Sequence, residues 1–302
     1  MSILHVLLSS PEPAGNQTLH HWLGRGDRLP DAPDPRNPSL RALFRISATE
    51  FPVAALRHHV HAEDAAHGSW MCADPVYVRS EATGARLMAW PLPDIPSEEA
   101  HALATTLRPL FRDAGVPLTV DTPSAWCLHL HDGTPTANFT RPSDALGAGL
   151  LACLPAGEAG RRWRRLFNEA QVMLHAHPVN AARIAAGKLP VNALWFWGTG
   201  ALPATVETGL TIVATRDDMI RGLAKLAQIV AVEPLPEVLE GTAAGGDGLL
   251  DLGVTELEST QWLRFFERTL RDRRFDAVEL TFPGGERFRV RHGHRLRFWR
   301  RG

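Results

Sequence analysis

Short continuous apolar runs alternate along this chain with apolar stripes at helical spacing, and that alternation predicts a mixed α/β protein. Ile3 to Leu8 is an apolar run ending in Ser9-Ser10-Pro11, a buried strand followed by a turn. Residues 24 to 40 are rich in Pro, Asp, Gly and Arg and read as an irregular surface segment. The polar, histidine-rich stretch His58 to Gly68 reads as a loop. From Trp70 the texture changes. Val76 to Ser80 and Arg86 to Trp90 flank Glu81-Ala-Thr-Gly84, the pattern of a β-hairpin. Ser97 is a candidate N-cap for a helix with acids in its first turn. Ala100, Leu103, Ala104, Leu107, Leu110 and Phe111 then recur at helical spacing up to Gly115. Leu118 to Val120 and Ala125 to His131 add two strands, so residues 70 to 142 form an α+β module.

Glu158 to His175 carries Trp163, Leu166, Phe167, Ala170, Met173 and Leu174 on one stripe, with Arg161, Arg165 and Glu169 off it: an amphipathic helix that Pro178 limits. Leu194 to Trp197 and Leu210 to Ala214 are apolar strands. Thr215-Arg-Asp-Asp218 then opens a helix whose inner face is Met219, Ile220, Leu223, Ala224 and Ala227. Ile229 to Val232 and Leu249 to Leu252 are further strands. Glu256 to Arg273 is a charged helix with Leu257, Leu263, Phe266 and Leu270 inward. Ala277 to Phe282, Phe288 to Val290 and Leu296 to Trp299 read as a terminal hairpin or meander. Strand–helix–strand alternation predicts a mostly parallel sheet with covering helices.

Composition adds little that is specific. With 302 residues, 44% hydrophobic and 22% charged, the chain can bury a large core. A formal net charge of −1 gives no global reason to expect nucleic acid as a partner. Cys72, Cys127 and Cys153 are widely spaced and form no CxxC, which predicts reduced, buried thiols in a cytoplasmic protein. The first residues lack a basic n-region and are expected to be a strand rather than a signal peptide. No stretch has the length to span a bilayer, so no membrane is expected.

The chemistry concentrates between His175 and Gly200, where a helix end, a turn, a buried strand and a glycine-rich exit follow one another. Asn180, Arg183, Asn192, Trp197, Gly198 and Gly200 are candidate ligand-binding residues for a phosphate or carboxylate. Arg offers a bidentate clamp, Asn a polar anchor, and glycines close backbone approach. In the plainer alternative, Asn and Gly shape turns, Trp195 and Trp197 fill the core, and Arg183 is solvated. His58, His59, His61 and His67, with Glu63 and Asp64, have metal-ligand residue types, but their spacing also suits a solvated loop. His129 and His131 share a strand face, and His175 and His177 bracket a helix end. Arg287 to Gly302 holds seven arginines and no acid, with Phe288, Phe298 and Trp299 interleaved. That composition fits either a nucleic-acid surface or the solvent face of a hairpin. Gly241 to Gly248 is a glycine-rich loop that either cradles an anion or is simply flexible.

Four of these pieces resemble, in order, the archaeal-type cofactor-independent phosphoglycerate mutases. They are His177-Pro178-x-Asn180-x-x-Arg183-x-x-x-Gly187; Asn192-x-x-Trp195-x-Trp197-Gly198-x-Gly200; Thr211 to Leu226; and Gly241 to Asp247. The resemblance covers roughly residues 70 to 282. It implies an alkaline-phosphatase-like, mostly parallel α/β core at residues 1–69 and 143–302, with an inserted α+β lid module at 70–142. In that family two divalent metals activate a serine that carries the phosphoryl group, which requires a cage of Asp and His. The family's first Asp follows strand one, where this chain has Ser9-Ser10-Pro11. Its serine segment is matched here by Phe51-Pro-Val-Ala-Ala-Leu-Arg-His58, and its later Asp-x-x-Gly-His set by Pro283-Gly-Gly-Glu-Arg287. A shorter bacterial group, the RpfE-type regulatory proteins, is similar in Trp70 to Val76, in the His-Pro-Val-Asn and Leu-Trp-Phe-Trp-Gly runs, and in Arg295 to Arg301.

The resemblance therefore implies a catalytically inactive phosphoglycerate-mutase-like protein with a regulatory or binding role. It would hold a small anionic ligand or a protein partner, with no catalytic residue, metal or cofactor assigned. One alternative is an active metal-dependent mutase or phosphatase, an isomerase of that family, with Asp74, Asp247, Asp251 and His292 or His294 as ligands. Another is a nucleic-acid-binding regulator acting through the arginine-rich C-terminus. Nothing in the sequence specifies an oligomeric state.

Overall fold

The apolar run at the start of the chain becomes the central strand of a sheet. The computed structural model describes residues 1–8, 17–32, 36–82, 84–242, 245–253 and 260–297, and these pack as two units, Met1–Ser47 with Ala204–Gly302, and Ala48–Pro203. The first segment supplies β1 (Ile3–Leu8), β2 (Asp27–Leu29) and β3 (Phe44–Arg45). The second unit holds β4 (Ser69–Glu81), β5 (Gly84–Ala89), β6 (Leu118–Thr122), β7 (Ala125–Leu130) and β8 (Ala193–Ala201). The chain then returns to the first unit for β9 (Glu207–Thr208), β10 (Leu210–Ala214), β11 (Ala231–Val232), β12 (Asp247–Leu252), β13 (Ala277–Thr281) and β14 (Arg287–Arg291).

In the first unit the strand order is β11-β10-β12-β1-β13-β14-β2. β1 pairs in parallel with β12 from Leu4↔Gly248 to Leu8↔Leu252 and with β13 from Ile3↔Ala277 to Leu7↔Thr281. β10 and β11 extend the parallel set, while β14 and β2 add an antiparallel edge. Strands covered on both faces need mostly apolar residues, which is why β1 and β12 are Leu-rich, with His5, Asp247 and Asp251 as the polar exceptions. Leu4, Val6, Leu8, Leu250 and Leu280 share a core with Trp262, Phe265 and Phe266 of the helix Thr260–Arg271. The strand expected over Leu296–Trp299 is not formed at its start. His292–Leu296 is a 3-10 turn whose His294 is buried beside Asp27, and Phe298 and Trp299 lie outside the described residues.

The second unit is an antiparallel sheet with β4 at its centre. β4 pairs with β8 from Ser69↔Ala201 to Val76↔Ala193; its other edge pairs first with β7 and then with β5, and β6 extends β7. One face carries Met71, Ala73, Trp126, Leu128 and Phe196. Helices Ser97–Asp113 and Gly157–His175 cover it with Leu103, Leu107, Phe111, Trp163, Phe167 and Leu174. On the other face Ala54 and Ala55 of the short helix Val53–His61 pack against Trp70, Cys72 and Cys127. The expected module of 70–142 lies inside this unit, which extends beyond it at both ends. Strand β8 and the helix Gly157–His175 complete its sheet and core, and the packing boundary falls at 48 and 203. Among the described residues no helix is long and apolar enough to cross a membrane.

Candidate functional site

Side chains alternate across a strand, so every second residue of β4 and β7 turns toward the helix Val53–His61. On β4 these are Trp70, Cys72 and Asp74, and on β7 they include Cys127. Where a single short helix is the cover, polar groups collect beneath it.

Asp74 is 1% exposed inside an otherwise apolar strand, and a buried carboxylate needs compensating donors. It has four. Arg57 donates through Nη2 to Oδ1 at 2.9 Å and through Nη1 to Oδ2 at 3.0 Å, while the indole N–H groups of Trp90 and Trp197 donate to Oδ2 at 3.0 and 2.9 Å. Arg57 also reaches the Cys72 sulfur at 3.4 Å. Burial pushes the Cys72 thiol well up, against the pull of Arg57.

Next to Arg57, His58 is 1% exposed, so the solvated-loop expectation fails for this residue, while His61, Glu63, Asp64 and His67 are exposed as expected. Residues 53 to 61 form a helix whose inner face carries Ala54, Ala55 and His58, and the polar composition of the stretch conceals that face. His58 Nδ1 lies 2.7 Å from Asp121 Oδ1 and 3.5 Å from the Cys127 sulfur, and His58 Nε2 lies 2.9 Å from Asp64 Oδ1. Burial alone would lower the imidazole pKa; the hydrogen bonds and charges of Asp121 and then Asp64 outweigh it and raise the value. Burial, reinforced by the Asp121 charge, drives the Cys127 thiol upward. Trp70 lies against the imidazole with ring centroids 3.8 Å apart and is anchored by its indole N–H to Ala65 O at 3.1 Å. His129 stacks on the same indole at 4.7 Å and meets His131 edge-on at 4.8 Å. His177 caps the helix Pro178–Ala185, accepting from Val179 N–H at 3.2 Å.

Of the six residues expected to bind an anion, Gly198 and Gly200 line one cavity, and the side chains of the other four are engaged with protein groups. Asn180 is buried and donates to Leu174 O and Val191 O at 2.8 and 2.7 Å while accepting from Val191 N–H at 2.9 Å. Asn192 exchanges two hydrogen bonds with the backbone of Val78, at 2.8 and 2.7 Å, in the manner of a strand residue. Arg183, 2% exposed, donates to Leu189 O, Asp94 O and the Glu99 carboxylate, the last at 2.6 Å. These three build the turn between the helix Pro178–Ala185 and β8. Trp197 serves Asp74. Gly198 and Gly200 line a cavity of about 740 Å³ whose walls include Glu50, Asp132 and His131 and no Arg or Lys. That lining suits a neutral or cationic polar ligand better than an anion.

In the first unit the carboxyl ends of the parallel strands carry a different cluster. Such edges are where open α/β sheets present ligand sites. Arg36 donates to Asp251 Oδ1 and Asp217 Oδ2, both at 2.7 Å, and Thr215 Oγ1 donates to Asp251 Oδ2 at 2.8 Å. Asp217 also caps the helix Asp218–Leu226 by accepting from Met219 N–H at 2.8 Å. Burial opposes the Arg36 charge, but Asp251 and Asp217 outweigh it and raise the guanidinium pKa further. Within the first unit, the candidates Asp247, Asp251 and His292 or His294 are not assembled. Asp247 accepts from Ile3 N–H at 2.8 Å at the opposite end of β12 from Asp251, roughly 13 Å away along the strand. His294 faces Asp27, and Asp74 belongs to the second unit.

Among the described C-terminal arginines, Arg287, Arg289, Arg291 and Arg297 are paired with acids. Arg287 and Arg289 reach Glu279 at 3.7 and 2.5 Å, and Arg291 and Arg297 reach Asp27 at 3.7 and 2.6 Å. A smaller cavity of about 260 Å³ beside them has Trp22 and Leu270 in its wall together with Arg25, Arg271, Arg291 and Arg295, and one acid, Glu267. Arg25 Nε is buried there with no hydrogen-bond partner.

No protein-family model matches the chain. In sequence it is 34% identical over 97 residues to a probable 2,3-bisphosphoglycerate-independent phosphoglycerate mutase of Geobacter sulfurreducens, covering 30% of this chain and 24% of that one. It is 30% identical over 150 residues to a 2,3-bisphosphoglycerate-independent phosphoglycerate mutase of Methanosarcina acetivorans, covering 46% and 36%. The chain thus spans between 24% and 36% of the length of these relatives, and over those stretches it is phosphoglycerate-mutase-like. The solved structure of the PH0037 protein from Pyrococcus horikoshii is similar with a TM-score of 0.50 at 11% identity, over 99% of this chain and 90% of that one. The fold is the α/β class with a mostly parallel central sheet that the sequence predicts, and the PH0037 structure shares it.

Proposed function

We propose that this mutase-like chain is a binding or regulatory protein of the RpfE type, working in the cytoplasm and catalytically inactive in two-metal phosphoryl transfer. The observation that carries the proposal is Arg36. Two carboxylates at the carboxyl edge of the parallel sheet are the usual beginning of a divalent-cation cage. Here a guanidinium already lies between them, 2.7 Å from each, and supplies the positive charge they require. A hard cation at Asp251 and Asp217 would have to displace it. The regulatory assignment draws on the Trp70 to Val76 and Arg295 to Arg301 resemblances, and the buried thiols of Cys72, Cys127 and Cys153 suit a reducing compartment.

The ligand in this proposal is a small anion, and the arginine-walled cavity beside Trp22 offers it more positive charge than the residues 180–200 do. Calorimetry with manganese and 3-phosphoglycerate, combined with a mutase assay, tests the proposal. We expect no turnover, no binding of a manganese pair, and any 3-phosphoglycerate affinity to be lost in Arg25→Ala. Two manganese ions bound per chain together with turnover would overturn it. That outcome would establish the second reading, an active metal-dependent mutase or phosphatase, which the sequence similarity to named mutases favours.

A further inference from the structure

We infer that the covered face of the second unit carries a site for a single zinc-type cation, with His58 Nδ1, the Asp121 carboxylate and the Cys127 thiolate as ligands and Asp64 as the support of the imidazole. The inference goes beyond the proposed function. It concerns the other unit, one borderline-soft cation rather than a pair of hard ones, and residues that the anion cavity does not use.

Three donor types that zinc favours come from three separate elements: the helix Val53–His61, β6 and β7. Their ligand atoms all lie within 4.8 Å of one another, with His58 Nδ1 2.7 Å from Asp121 Oδ1 and 3.5 Å from Cys127 Sγ. Around a tetrahedral zinc, bonds of about 2.0–2.3 Å separate neighbouring ligand atoms by about 3.3–3.8 Å. The His58–Cys127 separation already matches this, and the His58–Asp121 pair would open by about 0.6 Å to close on an ion.

The far side of the ring has the arrangement that metal-bound histidines favour. Asp64 Oδ1 lies 2.9 Å from Nε2, so a proton on Nε2 donates to this carboxylate and the Nδ1 lone pair is left facing Asp121 and Cys127. Trp70, tied to Ala65 O, packs against the ring and fixes its plane. His58, Cys127 and the Asp121 side chain are nearly inaccessible, whereas Asp64 is 63% exposed, so the support lies at the rim and the ligands beneath it.

Asp121 and Asp64 favour a protonated His58, so a proton on Nδ1 and a cation compete for the same groups. Loading one divalent cation releases the His58 Nδ1 proton and the Cys127 thiol proton to solvent. The carboxylate and thiolate charges then balance the ion. Three protein ligands leave the fourth position to water or a small exogenous ligand.

Cobalt(II) titration of the full chain tests the site, because a thiolate ligand gives a near-ultraviolet sulfur-to-cobalt charge-transfer band and a tetrahedral site gives visible d–d bands. We expect both bands to saturate at one cobalt per chain and to be reversed by zinc. The charge-transfer band should vanish in Cys127→Ser and persist in Cys72→Ser, whose sulfur belongs to the register partner of Cys127. Asp64→Asn should keep the band and weaken affinity about 10–100-fold. In case Cys127→Ser does not fold, the wild-type chain gives a second readout: zinc should raise its melting temperature over the chelator-treated protein. The inference is overturned if the wild-type chain gives no charge-transfer band, if the band survives in folded Cys127→Ser, or if it is lost in folded Cys72→Ser. Neither result depends on manganese or phosphoglycerate, so failure here is separable from failure of the proposed function.

Discussion

Asp74 shows how one residue can organise a whole face. Its four donors come from the helix Val53–His61, from Trp90 and from β8, so the carboxylate ties three parts of the second unit together. Asp74→Ala would leave two indole N–H groups without their acceptor and strip a guanidinium of its carboxylate. Breaking a buried pair in this way costs about 3–5 kcal/mol. Urea unfolding monitored by tryptophan fluorescence should show that loss, and a change below about 1 kcal/mol would refute the anchoring role. In the first unit, His5 on β1 faces its register partner Glu279, with Nδ1 3.9 Å from Oε2. Burial is the largest influence and holds the imidazole pKa below the usual 6.5 despite the attraction of Glu279. The unfolded chain therefore takes up its proton at higher pH than the folded one. Stability from this residue is complete above about 6.5 and declines as pH falls from there toward the folded value. His5→Gln should flatten that part of the stability–pH curve, measured as urea midpoints from neutral pH downward. At this scale the sequence was a poor guide to role. Asn180, Arg183 and Asn192 are polar beside a buried strand whether they hold a ligand or hold the backbone, and only the partner atoms distinguish the two. Asp74 did carry a signal, since a lone carboxylate in Trp-Met-Cys-Ala-Asp-Pro-Val demands buried donors.

Among the elements, the helix Val53–His61 has the greatest influence on chemistry, since it supplies both Arg57 and His58. Its approach to β8 depends on two glycines. Gly198 has φ +63°, and a Cβ there would stand 2.9 Å from Val53 Cβ; at Gly200 a Cβ would stand 2.6 Å from Pro52 Cβ. Gly200→Ala should push back the start of the helix and destabilise the second unit by about 1–3 kcal/mol. It should also loosen the Trp70–His58 contact, visible as a change in the near-ultraviolet circular dichroism of tryptophan. A variant with wild-type stability and spectrum would show that the helix does not need this close approach. Elements with a clean period were legible: the Leu-rich β1, the stripe from Trp163 to Leu174 and the inner face from Met219 to Ala224 all lie where the pattern puts them. The helix Val53–His61 was not, because histidines on an inward face look the same in sequence as histidines in solvent. The start of the expected Leu296–Trp299 strand was misassigned because alternation over so few residues also fits a 3-10 turn.

For the whole molecule, the sequence carried the class of fold but not the seam. A mostly parallel sheet and an inserted α+β unit followed from the order of elements, whereas the limits of the insert depend on contacts between residues far apart in the chain. β8 lies more than a hundred residues after β4 and is still its long edge partner. A consequence follows for the insert as a folding unit. It has its own two-sided core, with Trp126, Trp163 and Trp195 almost fully buried. Its two ends also meet, since Pro52 packs on Gly200, four residues from one boundary and three from the other. A segment whose ends are adjacent loses little loop-closure entropy when it is cut out. Residues 48–203 expressed alone should therefore unfold in one cooperative transition and keep the tryptophan near-ultraviolet spectrum of the folded unit. The segment should also bind cobalt with the same charge-transfer band as the full chain, because His58, Asp64, Asp121 and Cys127 all lie inside it. A fragment that melts without cooperativity would mean that the first unit supplies part of its stability. A cooperative fragment that binds no cobalt, where the full chain does, would mean that the face beneath the helix Val53–His61 takes its geometry from residues outside 48–203.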